Sequence, residues 1–424
     1  MDIVVMAGQI QLMASGPQER FFTIDPDYSH FVESFKKHSN FSRQYVTVDP
    51  ENEADFGKKV RFKIAQNQGD LLTTVSLKMK LPGIFETNST VYIESVGHAI
   101  IEYADLIIGG KVVQRLTSDY LQIYSEQNVT QTKQKALEQL IGKYPLRTGD
   151  LPVNPNIISH DTLGFNSDED FFVDLPFYFY GHPELAVPLC AIKRQEVEVE
   201  IKLRNAQELV VRSDGTPSVL QETLRLKQFE VCAEVIFIDC VERIKLENMT
   251  TDYLITQVQE EVFEVDAGVD QGTFKLDFVN PVKELYFVIQ RDDATIFDYD
   301  NIYAVANDKL ILYENLDYLT LDLDGQPIIT RETGNVIFLK AVQGAIHHSK
   351  TQLIRRFYSY SFALQPEEWY PTGQVNFSLI KEQILKMNLT PSPDHKRQIR
   401  VYALSYNILR VSEGITQTLF NVQY

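Results

Sequence analysis

The sequence predicts an all-β protein built as two sandwiches in tandem. Three observations carry that prediction: two-residue alternation of apolar and polar side chains in both halves of the chain, glycine-bearing turns between alternating runs, and a motif in the first half that recurs in the second. Alternation with period two is what a strand with one buried face requires, because successive side chains point to opposite sides of the sheet.

Along the chain, Val60, Phe62 and Ile64 alternate with Arg61 and Lys63. Val75, Leu77, Met79 and Leu81 alternate with Ser76, Lys78 and Lys80 before Pro82 ends the run. Ile107 to Val113 places Gly109-Gly110 between apolar strands, the composition of a tight hairpin whose central residues need positive φ. No strand-to-helix fingerprint surrounds the pair, so it is read as a turn and not as a phosphate cradle. Helical spacing is local: over Thr130 to Ile141 the residues Leu137, Leu140 and Ile141 share a face, and Gly142 and Pro145 stop it. Val197, Val199, Ile201 and Leu203 alternate with Glu198, Glu200 and Lys202, and Phe274, Leu276 and Phe278 with Lys275 and Asp277. Leu319 to Leu323 leads into an Asp324-Gly325 turn.

The recurrence lies between KQFEVCAEVIFIDCVER and RQIRVYALSYNILRVSEG, where Gln228, Val231, Ala233 and Val241 reappear as Gln398, Val401, Ala403 and Val411. Upstream of each stands an alternating strand preceded by a proline-containing loop, which suggests two β domains of similar layout. An antiparallel domain of this size must close its sheet or pack two sheets together to protect edges and bury one face of each strand. The domain expectation is an N-terminal arm over 1–21, a first domain over 22–245, a linker over 246–259, a second domain over 260–414 and a tail over 415–424. Asn205 to Glu222 is expected to be a long polar loop.

With 424 residues, 44% of them hydrophobic, the chain can bury sizeable cores, and domain-size priors favour two units. No stretch approaches the roughly 18 apolar residues of a membrane-spanning helix, and Ile3 to Met6 is too short for a signal peptide and lacks its basic flank. Synthesis in the cytosol is the expectation. Cys190, Cys232 and Cys240 have neither a CxxC spacing nor an even count, which predicts buried thiols. A net charge of −18 opposes binding to a phosphate backbone, so no direct nucleic-acid binding is expected. The basic pairs Lys36-Lys37 and Arg355-Arg356 read as solvated surface.

A catalytic constellation can show in the spacing of its residues. GxSxG, HExxH and P-loop patterns are absent. His347-His348 on a strand would face opposite ways, which is poor ligand geometry, so both read as ordinary polar positions. Asp168-Glu169-Asp170 and Asp292-Asp293 have the chemistry of a cation site or a carboxylate pair, yet acidic loop runs are ordinarily solvated. Sequons stand at Asn40, Asn88, Asn128, Asn248, Asn376 and Asn388, and cytosolic synthesis argues against their use. No catalytic, cofactor-binding or metal-ligating residue is assigned.

Several blocks resemble one family. QIQLMASGPQERFFTIDPDYSHFVESFKKHSNFS is similar to an N-terminal arm with Pro26, a short helix over Phe31 to Lys37 and a terminal Asn40-Phe41. DLIIGGKVVQRLTSDYLQIYSE resembles a glycine-turn hairpin followed by an aromatic-rich helix, and LPFYFYGHPELAVPL a Leu-Pro-Phe loop. DYLITQVQ is similar to an interdomain segment, FVNPVKELYFVIQ to a Pro-Val-Lys strand, and YSFALQPEEWYPTGQVNFS to the family's most recognisable block. The family is the double jelly-roll major capsid protein of nucleo-cytoplasmic large DNA viruses, including iridoviruses, phycodnaviruses and mimivirus-like members. The likeness covers roughly residues 8 to 414. Tyr370-Pro371-Thr372-Gly373 departs from a common Gln-Pro-Ser-Gly, and the tail after Ser412 is not the glycine-rich ending often seen.

The resemblance implies two tandem eight-stranded antiparallel jelly rolls with short loop helices. It also implies a homotrimer forming a pseudo-hexagonal capsomer, neighbouring capsomers tiling an icosahedral shell, minor capsid proteins of cement and penton type, contact with inner viral membrane proteins, location in the virion capsid and assembly in the host cytoplasm. No enzyme activity and no cofactor are implied. Phe177, Tyr178, Phe179 and Trp369 are candidates for subunit contacts or for core packing. The alternatives are a minor or penton-type jelly-roll component, for which one domain would be typical, and a carbohydrate-binding or carbohydrate-active β-sandwich protein using Asp168 or Asp292.

Overall fold

Whether alternation in sequence becomes burial on one face can be read strand by strand in the computed structural model, which describes residues 7–32, 35–84, 90–143, 168–212, 219–220, 223–292, 303–306, 309–312, 315–350 and 356–422. Pro145, Asn88, Asp293 and Arg355 lie outside the described residues. The chain forms two compact units, Met1–Asn40 and Phe41–Tyr424.

The first unit carries α1 (Ala7–Met13) and α2 (Pro17–Thr23). Pro17 stands at the start of α2, where its missing N–H is no loss, and the Glu19 carboxylate accepts from Gly16 N at 2.9 Å. The helix implied over Phe31 to Lys37 does not form among the described residues. The Ser29 hydroxyl accepts from Phe31 N at 3.2 Å, and Ser29 pairs with Val32 in an isolated bridge. A hydroxyl used in such a local turn is not capping a helix. Ile10, Leu12, Met13, Phe21, Phe22 and Phe31 are exposed.

In the second unit, a sandwich forms from two four-stranded antiparallel sheets. One runs in the order β1 (Phe41–Val48), β10 (Gln228–Ile238), β3 (Leu71–Leu81), β7 (Glu169–Asp174). The other runs β2 (Lys59–Ile64), β8 (Val197–Leu203), β5 (Ile101–Ile108), β6 (Lys111–Thr117). The predicted faces hold: Val60, Phe62, Ile64, Val75, Leu77, Met79, Leu81, Val197, Val199, Ile201 and Leu203 are all buried. Gly109 and Gly110 turn β5 into β6 with φ of 60° and 76°, the left-handed pair that a two-residue hairpin requires. Between β6 and β7 stand α4 (Ser118–Gln127), whose N-cap Thr117 accepts from Tyr120 N, and α5 (Gln134–Ile141), ended by Gly142 at φ 72°. The short α3 (Val96–Ala99) precedes β5, and β4 (Thr90–Tyr92) pairs with β9 (Val210–Arg212) inside the stretch expected as a loop.

A second sandwich repeats the order. Its first sheet runs β11 (Thr251–Val265), β21 (Arg397–Ser412), β13 (Pro281–Arg291), β18 (Phe357–Ser361), with β19 (Val375–Asn376) on β13 and β22 (Ile415–Thr418) on β21. Its other sheet runs β12 (Gln271–Lys275), β20 (Gln383–Leu389), β16 (Leu316–Leu323), β17 (Gln326–Ile329), and β14 (Tyr303–Ala306) pairs with β15 (Lys309–Leu312). Asp324 and Gly325 form the β16–β17 turn at φ 48° and 76°. A π-helical segment, Phe338–Val342, leads into α7 (Gln343–His347) between β17 and β18. The fold is a double jelly roll.

β10 and β21, the pair singled out by the recurrence, occupy the same place in their sheets. The correspondence stops short of Val241, which is exposed on α6 (Cys240–Asn248), whereas Val411 is buried in β21. The expected linker over 246–259 is mostly strand: α6, capped by the Asp239 carboxylate on Cys240 N, makes the connection, and β11 begins at Thr251. The tail likewise carries a hairpin, with Glu413 and Gly414 at φ 52° and 82° leading into β22. Of the three free thiols only Cys190 is buried. Cys232 is half-buried on the outer face of β10, and Cys240 is exposed because it opens a helix with no buried residue.

Candidate functional site: the seam between the two sandwiches

The outer face of the β11–β21–β13–β18 sheet is not solvated. Tyr253, Ile255, Tyr286, Val288, Phe357, Tyr402 and Leu404 join the apolar core of the first sandwich, while Leu285, Phe287, Ile289, Tyr358, Ile399, Val401 and Ala403 fill the second core. A sheet buried on both faces loses alternation and reads as a continuous apolar run. PVKELYFVIQ and RVYALSYNILRV are such runs.

The first sandwich covers this face with β6, α4 and the loop 176–190. The Tyr120 and Tyr286 rings meet edge to face at 6.4 Å. Gln257 Nε2 donates to Val113 O, Gln127 Nε2 donates to Ser359 Oγ at 3.0 Å, and Lys350 N donates to Gln127 O at 3.1 Å.

Charged groups lie within the seam. Tyr402 Oη lies 2.8 Å from Asp119 Oδ2 and 2.9 Å from Glu260 Oε1, and the Arg400 guanidinium forms an ion pair with the same Asp119 oxygen, its Nε 2.8 Å away. Burial, reinforced by Asp119, raises Glu260 above the usual carboxylate range despite the Tyr402 hydrogen bond. Glu126, fully buried, pairs with Lys350 at 3.0 Å and with Lys143. His348 Nε2 meets Glu284 Oε1 at 2.7 Å, and its Nδ1 lies 3.4 Å from Glu367. Burial pulls His348 down, but the two carboxylates outweigh it and hold the imidazolium to about 9. Lys283 is the opposite case: burial outweighs Glu284, Glu367 and Glu368 and lowers its ammonium to about 8.

These residues were not singled out by motif or spacing. The available signal was the loss of alternation in the two runs, which marks a doubly buried sheet but not its partners. His347-His348 are not on a strand: they end α7, and His348 is buried while His347 Nδ1 contacts Leu364 O at 3.1 Å. Phe177, Tyr178 and Phe179 are buried within the chain and Trp369 is half-buried, so the aromatic loop residues are packing groups of the seam.

The acidic runs do not converge. Asp168 Oδ1 accepts from Gly83 N at 3.2 Å, Glu169 and Asp170 alternate along β7, and Asp292, in the other sandwich, lies 3.3 Å from His395. No group of three or more His, Cys, Asp or Glu suited to a metal ion exists among the described residues. The carbohydrate-active alternative finds no support in this arrangement.

Comparison with known proteins gives the same direction. Residues 29–239 match the family described as "Major capsid protein N-terminus" and residues 242–416 the family described as "Large eukaryotic DNA virus major capsid protein". The chain is 26% identical over 439 residues to the major capsid protein of Pyramimonas orientalis virus, covering 96% of this chain and 98% of that protein. It is 24% identical over 469 residues to the major capsid protein of Paramecium bursaria Chlorella virus 1, covering 97% and 98%. With capsid protein 1 of Acanthamoeba polyphaga mimivirus it is 30% identical over 295 residues, 66% of this chain but 48% of that longer protein. In structure it is similar to a chain of the PBCV-1 virus capsid, with a TM-score of 0.78 at 20% identity over 93% of this chain and 100% of that one. The Faustovirus major capsid protein gives a TM-score of 0.70 at 12% identity over 94% of each chain. Two family matches that together run from the first sandwich through the second, on a double jelly roll, place this chain among the major capsid proteins of the large eukaryotic DNA viruses.

Proposed function

We propose that this major capsid protein acts as a homotrimeric capsomer in which three copies close a ring of six sandwiches. One observation carries the reading. Among the described residues of Phe41–Tyr424, the outer face of the second sandwich's β11–β21–β13–β18 sheet is covered by the helix-bearing side of the first, whereas the equivalent face of the first sandwich, on β1–β10–β3–β7, is left open. Phe41, Tyr45 and Phe172 are exposed there, and Cys232 takes the place that the buried Tyr402 holds in the repeat.

The covering surface has a counterpart too. α4 stands between β6 and β7, and the helix through α7 stands in the same position between β17 and β18, where Ile337 and Ile346 are exposed. A bare receiving face on one sandwich and a bare covering face on the other form a heterologous contact, which closes into a ring when repeated by rotation. Exposed apolar groups rimmed by polar ones suit such an interface.

Beyond the ring, neighbouring capsomers, minor capsid proteins of cement and penton type and inner membrane proteins are the partners we infer for the shell, with assembly in the host cytoplasm. The net charge of −18 supports a role without direct nucleic-acid contact. The role needs no catalysis and no cofactor: the protein supplies shape and edge complementarity.

Light scattering on a size-exclusion column tests the stoichiometry. The expected peak has three times the 48.7 kDa chain mass. A monodisperse monomer across salt concentrations would overturn the capsomer reading.

A further inference from the structure

A cavity of about 190 Å³ lies in the seam, walled by α4, the loop 176–185, β11, β13 and residues 366–369. Polar groups with little to bond to line it. Lys283 is 4% exposed; its ammonium makes one long hydrogen bond, to Glu368 O at 3.5 Å, lies over the Tyr406 ring at 5.3 Å from the centroid, and has no carboxylate within 4 Å among the described residues. The buried Tyr178 hydroxyl and Asn128 Oδ1 have no hydrogen-bond partner among the described residues. Leaving such groups unpaired carries the desolvation penalty of burial with no bond in return, so a cavity that collects them is suited to a polar occupant. Trp369 and Phe177 supply an apolar wall beside them.

We propose that this cavity binds a carboxylate carried on a compact apolar body. The carboxylate accepts from Lys283 and from the Tyr178 hydroxyl, and the body lies against Trp369 and Phe177. Two of the three acids near Lys283 are already engaged. Glu284 is held by His348 at 2.7 Å and by the Tyr286 hydroxyl at 2.8 Å, and Glu367 by Ser349 N at 2.7 Å and His348 at 3.4 Å. Glu368, half-buried on the wall, is the remaining acid, and His182 lines the cavity as well. The chemistry fits either a free small acid or a carboxylate of a second protein chain. It is independent of how the capsomers assemble.

Trp369 is the one tryptophan in the sequence, so its fluorescence reports on this cavity alone. The full-length protein would be titrated with cyclohexanecarboxylate, with its neutral amide as the control, and with a short peptide ending in a free carboxylate. The expected result is a saturable change with the acid and not the amide, weakened on the order of tenfold or more in Lys283→Met and Tyr178→Phe. Binding should also fade as pH rises through about 8, where the Lys283 ammonium loses its proton. Tighter binding of the peptide assigns the carboxylate to a partner chain, and tighter binding of the small acid assigns it to a free ligand. Equal response to acid and amide, no response to any probe, or undiminished binding in a folded Lys283→Met protein would overturn the proposal. If Lys283→Met does not fold, the pH titration and Tyr178→Phe decide.

Discussion

Ile337 is the position at which the proposed ring can be broken without touching either core. It is 75% exposed in the single chain, at the start of the helix that mirrors α4. Full burial of an isoleucine side chain contributes about 1.5–3 kcal/mol, so docking the still-exposed three quarters of it on a neighbour contributes roughly 1–2 kcal/mol per contact. Ile337→Asp removes that term and adds the cost of desolvating a carboxylate, which makes about 2–4 kcal/mol per contact a fair range. A tenfold change is about 1.4 kcal/mol, so each contact weakens by a factor of roughly 30 to 1,000, and a ring of three contacts should dissociate at micromolar concentrations. Unfolding of the single chain should change by no more than about 0.5 kcal/mol, because an exposed side chain has little to lose. The assay pairs light scattering with thermal unfolding on the same sample. An Ile337→Asp protein that keeps three times the chain mass at the same concentration refutes the placement of this helix at a subunit contact.

The seam should respond to pH through His348. Its folded value of about 9 lies above the ordinary 6.5, so its contribution is fully present below about 6.5 and is lost as pH rises toward 9. Lys283, lowered to about 8 from 10.5, acts in the opposite sense above 8. The net expectation is a fall of about 1–2 kcal/mol between pH 6.5 and 8. Denaturant midpoints across that range should show it in the native chain and not in His348→Gln, and a flat profile in the native chain contradicts it. Tyr402→Phe removes the hydroxyl between Asp119 and Glu260 and should cost about 1–3 kcal/mol, read as a lower denaturant midpoint. Leu77→Asp places a charge where the side chain is fully buried and should leave the protein insoluble on expression. Soluble trimers of that variant contradict the assigned face of β3.

The parts of the fold legible in the sequence are those set by local chemistry. Strands with one wet face, such as β2 and β8, announce their inner residues by alternation, and Gly109-Gly110 and Asp324-Gly325 announce their hairpins by the φ they require. The recurrence at β10 and β21 was readable because both are second strands of equivalent sheets with one face on a sandwich core. It fails at Val241 because the chain there leaves the sheet for α6.

What the sequence concealed was mostly non-local. β11 overlaps the stretch that reads as a linker because its partner, β21, lies about 150 residues away. Asp119 and Tyr402, or His348 and Glu284, become a site only when α4 and α7 are folded against β21 and β13. Composition alone favours a buried Cys240, yet Asp239 caps a solvent-facing helix and carries the thiol outward. The aromatic loop from Phe177 to Phe179 could be flagged from sequence, but its role as seam packing depends on the doubly buried sheet beside it.

The most direct test of the account is an electron cryomicroscopy reconstruction of the purified assembly, read for which faces meet between copies. The account predicts the β1–β10–β3–β7 face of one copy, with Tyr45 and Phe172, packed against the Ile337–Ile346 helix of the next, three times around a closed ring. Like faces meeting about a two-fold axis, or copies joined with both of these surfaces left in solvent, would contradict it.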